Sequence, residues 1–280
     1  MAEQASELDL RLAHPPGRVG GAERRNLLAA YENAILGALG VVIFLAVWEV
    51  AGTKMENGKL FFSSPSMVAA AFGRLVGQPA FWNDCWVSFQ EFAFGYLASI
   101  VVGIPLGIAM GWYRRTNALL DPLVSAFYAT PRVALVPLLL IWFGIGIWSK
   151  IALVFLGAVF PILISTLAGI RSLDESLIKV SRSFGARDWQ IFTTLALPGT
   201  VPFILAGLKL AVGRALIGVV VAEYVAAQAG IGQMMAKAGA TFQTDRVMVG
   251  VLLIAFAGIT SIELLRRLEQ RFESWRPARD

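Results

Sequence analysis

FGYLASIVVGIPLGIAMG, residues 94–111, carries no charged side chain from end to end. A run of this length approaches the roughly 20 apolar residues needed to cross a bilayer as a helix. Gly95, Ser99, Gly103, Gly107 and Gly111 recur every four residues, which puts small side chains along one slowly drifting helix face. In lipid, where hydrophobic drive between helices is absent, such a face lets backbones approach and pack. The stretch reads as a closely packed transmembrane helix, and that reading sets the class of the whole chain.

Similar runs recur along the 280 residues, of which 57% are hydrophobic and only 15% charged. A soluble domain carries about a quarter charged residues. We read an all-α polytopic membrane protein with about six transmembrane helices, bounded near 34–51, 92–112, 122–143, 150–170, 199–223 and 247–265. The membrane domain covers 34–265, between a polar leader over 1–33 and a tail over 266–280. The leader is long and Arg-bearing, unlike a cleaved secretory signal. Between the first two spans, SSPSMVAAAFGRLV reads as a short surface helix opened by Ser64 with Pro65 at its first position. The fifth span repeats the small-residue device with Gly207, Ala211, Arg214, Gly218 and Ala222, where Arg214 is the exception that puts a charge on the face.

Charge placement sets the orientation. Arg24 and Arg25, Arg114 and Arg115, Arg171 to Arg187, and Arg266 to Arg279 all fall on one side of a six-span chain. The other side holds only scattered bases, Lys54, Lys59, Arg74, Lys150, Lys237 and Arg246. Basic residues favour the cytoplasmic side, so both termini are placed in the cytoplasm. The same asymmetry accounts for the net charge of +5 without nucleic acid. Cys85 is the single cysteine and His14 the single histidine, so neither a metal site nor a His-based triad is expected.

Three bases remain inside spans: Arg132, Lys209 and Arg214. Charges at membrane depth face a partner or a water path. Ion pairing that locks the bundle and a basic lining for an anion path both fit. Arg132 follows Pro131 in YATPRVALVP, near a break that proline imposes on the third span. Lys209 and Arg214 point to faces about 140° apart, so they do not form one site on their helix. Glu91 and Glu223 are placed near span ends.

One polar interruption stands out: SLDESLIKVSRSFGARDWQIFTTLALP, residues 172–198, on the cytoplasmic side. Ser172 with Glu175 is a capping-box spacing that starts a helix. That helix runs through Lys179, Ser181 and Arg182 and stops at Gly185. Asp188 opens a second helix through Trp189, Phe192 and Leu195, which Pro198 closes before the fifth span. The result is a knuckle with an apolar tip at Phe184 and Trp189. The tip suits a groove on another protein, or the aromatics rest on the membrane interface.

The segment resembles the cytoplasmic motif of ABC importer permeases, EAA-x3-G-x9-I-x-LP: Lys179-Val180-Ser181, then Gly185, then Leu195-Ala196-Leu197-Pro198. Lys179 stands where that family usually has glutamate, and Glu175 lies one turn earlier. With SSPSMVAAAFGRL, ATPRVALVPLLLIWFGIG and GLKLAVGRALIGVVVAEY, the chain is similar to the nitrate/sulfonate/bicarbonate/taurine subgroup from about Phe61 to Arg267. The resemblance implies a permease subunit, itself without cofactor or catalysis, for a small anionic solute such as a sulfonate, nitrate, taurine or organic carboxylate. It implies cytoplasmic ABC ATPases that use ATP and Mg, an extracytoplasmic solute-binding protein, and a second permease copy forming a homodimer. Glu175 to Pro198 would be the coupling surface, and Arg132, Arg214 and Lys209 the pathway bases. The chain has no G-x4-G-K-[ST] loop of its own.

A stand-alone secondary transporter or channel subunit is the rival, and it predicts inverted repeats or coupling acids at membrane depth. A membrane-embedded enzyme and a purely structural assembly subunit are further alternatives.

Overall fold

The computed structural model describes residues 19–54 and 61–271, in which ten helices and no strand occur. The expectations for 1–18, 55–60 and 272–280 lie outside those residues. By contact the chain divides into two compact units, 1–65 and 66–280.

The first unit is dominated by α1 (Val19–Lys54), whose backbone is helical well before the apolar stretch Ile35–Lys54. Near its end the helix meets the following chain. Gly52 abuts the Ser63 backbone, and Trp48 Nε1–H donates to the Phe62 carbonyl at 3.4 Å.

The second unit begins with α2 (Pro65–Val76), which starts at the expected proline and buries Val68, Ala71 and Leu75. Its core is a trio of long helices: α3 (Pro79–Trp112), α6 (Ile147–Arg171) and α8 (Asp188–Ala226). Helix α6 lies against both others, and its Val154, Ala158 and Ile162 are fully buried. The glycine stripe of α3 faces α6. A Cβ on Gly95 would strike Val154, on Gly103 Ile162, on Gly107 Thr166 and on Gly111 Ile170. From the other side, Gly207 of α8 faces Ser165 and Gly218 faces Val154. Ser99, in the same α3 stripe, donates its hydroxyl to the Gly95 and Phe155 carbonyls.

Among the described residues five helices are long and apolar enough to cross a membrane, or six if a bent pair counts as one span. That pair replaces the single third span of the sequence reading. Helix α4 (Arg114–Ala129) starts earlier than expected. After Thr130 and Pro131 a 3₁₀ turn (Arg132–Leu135) leads into α5 (Val136–Phe143), with a bend of 91°. Pro131 supplies no N–H to the preceding turn and holds Thr130 extended.

Other boundaries also move. Helix α3 begins at Pro79, not Phe92, so Glu91 lies about 18 Å inside the helix and not near its end. Ser172 does not cap the cytoplasmic helix: it ends α6, donating its hydroxyl to the Gly169 carbonyl. Asp174 is the N-cap of α7 (Glu175–Ser183) instead. Pro198 does not close a separate second helix. A π turn at Phe192–Ala196 carries Asp188 onward into α8, with Leu197 N–H reaching back to the Phe192 carbonyl. The widened turn accommodates the proline ring, and the Thr193 and Thr194 hydroxyls bond the Trp189 and Gln190 carbonyls. A short helix that sequence reading missed, α9 (Ile231–Ala240), joins α8 to α10 (Thr244–Arg271).

Candidate functional site

The knuckle is built from local chemistry. The Asp174 carboxylate accepts the Ser176 N–H at 2.8 Å and starts α7. Hydrogen bonds from Ser176 hold that carboxyl below the usual carboxylate range. At the other end Gly185 has φ +81°, Ala186 N–H bonds the Ser181 carbonyl, and Gly185 N–H bonds the Arg182 carbonyl. These two bonds complete a Schellman terminus, for which glycine is the ordinary residue. Arg182 then bridges to Asp188 at 3.0 Å, joining α7 to the first turn of α8. Arg187 N–H is received by the Gln190 side chain. Lys179 pairs with Glu175 at 3.6 Å, both fully in solvent, so the base at the position usually held by glutamate has a local acid.

The tip is apolar and bare: Phe184 is 88% exposed and Trp189 71%. Trp189 stacks on Phe192, which meets Trp112 edge-on, so the knuckle's second limb rests against the end of α3. Leu195 is half-buried and Leu197 borders on exposed.

The second feature is a cavity of about 390 Å³ at the bend between α4 and α5. Tyr128 to Val133 form one wall, Leu153 and Gly157 of α6 the floor, and Arg214, Ile217, Gly218 and Val221 of α8 the other wall. The structure thus brings Arg132 and Arg214 to one space. The Arg132 guanidinium sits 5.6 Å from the Tyr128 ring centre and 5.8 Å from that of Phe160. Aromatic faces attract the cation and fix its plane. Its Nε is buried and finds no hydrogen-bond acceptor among the described residues. No acidic side chain lines the cavity among them. Two guanidinium groups, with the Tyr128 and Thr130 side chains and apolar residues around them, suit an anion with a short apolar body.

Lys209 is not brought to this space. It forms an ion pair with Glu269 of α10, a link between helices. Lys150 is buried, and its ammonium donates to the Ile145 and Gly146 carbonyls at 2.8 and 3.1 Å. Sequence reading passed over the polar contacts of Glu91 and Glu223. Ser88, Glu91, Gly95 and Ser99 share one α3 face, and that spacing was the available signal. No group of metal-binding side chains occurs among the described residues.

The sequence profile of the family described as binding-protein-dependent transport system inner membrane component matches residues 103–274. The taurine transport system permease protein TauC of Escherichia coli is 34% identical over 86% of this chain and 88% of its own length. The putative aliphatic sulfonates transport permease protein SsuC of Bacillus subtilis is 32% identical over 86% and 87%. A solved chain of the inward-facing MetNI methionine ABC transporter superposes with a TM-score of 0.49 at 21% identity, covering 64% of this chain and 93% of that one.

Proposed function

The chain belongs to the binding-protein-dependent transport inner membrane components, as an ABC importer permease of the taurine/sulfonate type, and from that premise we propose that it conducts a small sulfonate or similar organic anion past Arg132 and Arg214. The observation that carries the solute class is the pairing of those two guanidinium groups on one cavity whose described lining holds no acid. Arginine's planar fork matches the oxygens of a sulfonate or carboxylate. The two cations also repel each other across the cavity, so a bound anion relieves that repulsion.

Coupling runs along α8. Asp188, in the knuckle, and Arg214, on the cavity, belong to one continuous helix and lie about 39 Å apart at helical rise. A cytoplasmic ATPase whose groove receives Phe184 and Trp189 would displace the knuckle on closing. A packed helix transmits such a displacement as a shift between two discrete states. Arg214 would then move relative to Arg132 at the bend, opening or closing the anion's environment. In this reading two copies of the chain form the passage, the knuckle and both termini face the cytoplasm, and a solute-binding protein delivers the anion from the opposite side. The permease itself contributes no catalytic residue.

The test is uptake of taurine and of short alkanesulfonates by proteoliposomes holding the complete transporter. Arg132→Leu and Arg214→Leu should each cut uptake at least tenfold while the subunits still co-purify. Full uptake by either variant removes that residue from the pathway, and full uptake by both overturns the anion cavity.

A further inference from the structure

A second charged cluster shares no residue with the basic cavity. Glu91 of α3 and Glu223 of α8 are both fully buried, with their carboxyls against one another. Their surroundings differ sharply. Glu223 accepts the Ser88 hydroxyl at 2.5 Å and the Gly232 N–H at 2.6 Å. Ser88 Oγ itself accepts Ile231 N–H at 2.8 Å, and Asp84 accepts Gly230 N–H at 2.9 Å. Three successive N–H groups at the start of α9 therefore end on side chains of α3 and α8. Glu91 receives nothing comparable: neither of its carboxyl oxygens has a hydrogen-bond donor among the described residues.

The charges facing this pair do not balance two anions. Lys150 of α6 is the base beside it, 4.0 Å from Glu91, and two of its three ammonium protons serve backbone carbonyls. Helix α3 adds Asp84 and Cys85, neither of them basic, and α9 presents backbone N–H groups to Glu223. Two carboxyls sharing a water-excluded site do not both ionise. The carboxyl supplied with donors is the better anion, and the one without donors gains most from an O–H of its own.

We propose that Glu91 is a buried proton site, holding a proton that it donates to the Glu223 carboxylate and so fastening α3 to α8 and to the start of α9. Glu223 is then the anion of the pair, and the carboxylate on which α9 is anchored through Gly232 N–H. Removing the proton would leave two anions beside one lysine and loosen the anchor. The fastening exists while the two carboxyls share one proton and is lost when that proton leaves.

Infrared spectra of the full chain, purified with its partner subunits and held in lipid nanodiscs at neutral pH, test this directly. The wild type should show the carbonyl band of a protonated carboxylic acid, shifting in D₂O and missing in Glu91→Gln. Glu91→Gln keeps a donor of the same shape, so it should melt with the wild type at neutral pH and above it at alkaline pH. Glu223→Gln, which replaces the carboxylate accepting the Ser88 hydroxyl and the Gly232 N–H by a weaker neutral acceptor, should melt several degrees lower. No such band in the wild type, a band that survives Glu91→Gln, or a Glu91→Gln variant as destabilised as Glu223→Gln would each overturn the assignment.

Discussion

Gly185 shows what a single residue settles. Its φ of +81° lies in the left-handed region, and a Cβ there would meet no neighbouring atom within 4 Å. Any penalty for replacing it is therefore backbone strain and not a clash, about 1–2 kcal/mol for an L residue. A valine should distort the turn between α7 and α8 and abolish solute-stimulated ATP hydrolysis by the assembled transporter, with membrane insertion unchanged. Asparagine, which visits this conformation more readily, should retain most of the activity. Equal activity in both variants would mean the turn's shape does not matter for coupling. This glycine was legible from sequence because the reason for it is local. Glu91 was not, because its meaning depends on Glu223 and Lys150, far away in the chain.

At the scale of elements, the α3–α6 contact is where the small-residue spacing acts. A Cβ on Gly107 would stand 2.6 Å from the Leu163 carbonyl and 2.8 Å from Thr166 Cβ, so the helices must separate to admit one. Gly107→Leu should destabilise the purified protein by about 1–3 kcal/mol, the range for overpacking a close contact. The check is its melting temperature, which should fall well below that of Gly73→Leu, a site where a Cβ meets nothing. The stripe itself could be read from spacing, but the partner helix could not. Helix starts were the weakest part of the reading. The second span was bounded near 92, yet α3 begins at Pro79, and Asp84 in its first turns accepts an N–H at the start of α9, a contact between distant segments. Likewise Pro198 looked like a terminator, and only the π turn before it, with its threonine hydroxyls, lets the chain run on into α8.

For the whole molecule the open quantity is orientation. With Cys85 changed to serine, single cysteines at Phe184 and Lys237, both exposed, should label oppositely with a membrane-impermeant maleimide on intact cells. Lys237→Cys should react at once, and Phe184→Cys only after permeabilisation. Labelling of Phe184→Cys on intact cells would place the knuckle outside and end the ATPase-coupling reading. Basic residue asymmetry supports the expectation, and it acts during insertion and not in the folded contacts.

Sequence alone determined that the chain crosses a membrane, that its helices pack through small residues, and that a polar knuckle with a glycine turn interrupts them. These follow from run length, four-residue spacing and backbone sterics, each confined to neighbours along the chain. The tertiary structure decided that Arg132 and Arg214 share a cavity while Lys209 pairs with Glu269. It also decided that the knuckle is continuous with α8 and that two buried glutamates meet beside one lysine. What a charge at membrane depth does depends on which opposite or like charge the fold sets beside it, and periodicity along one helix does not contain that information.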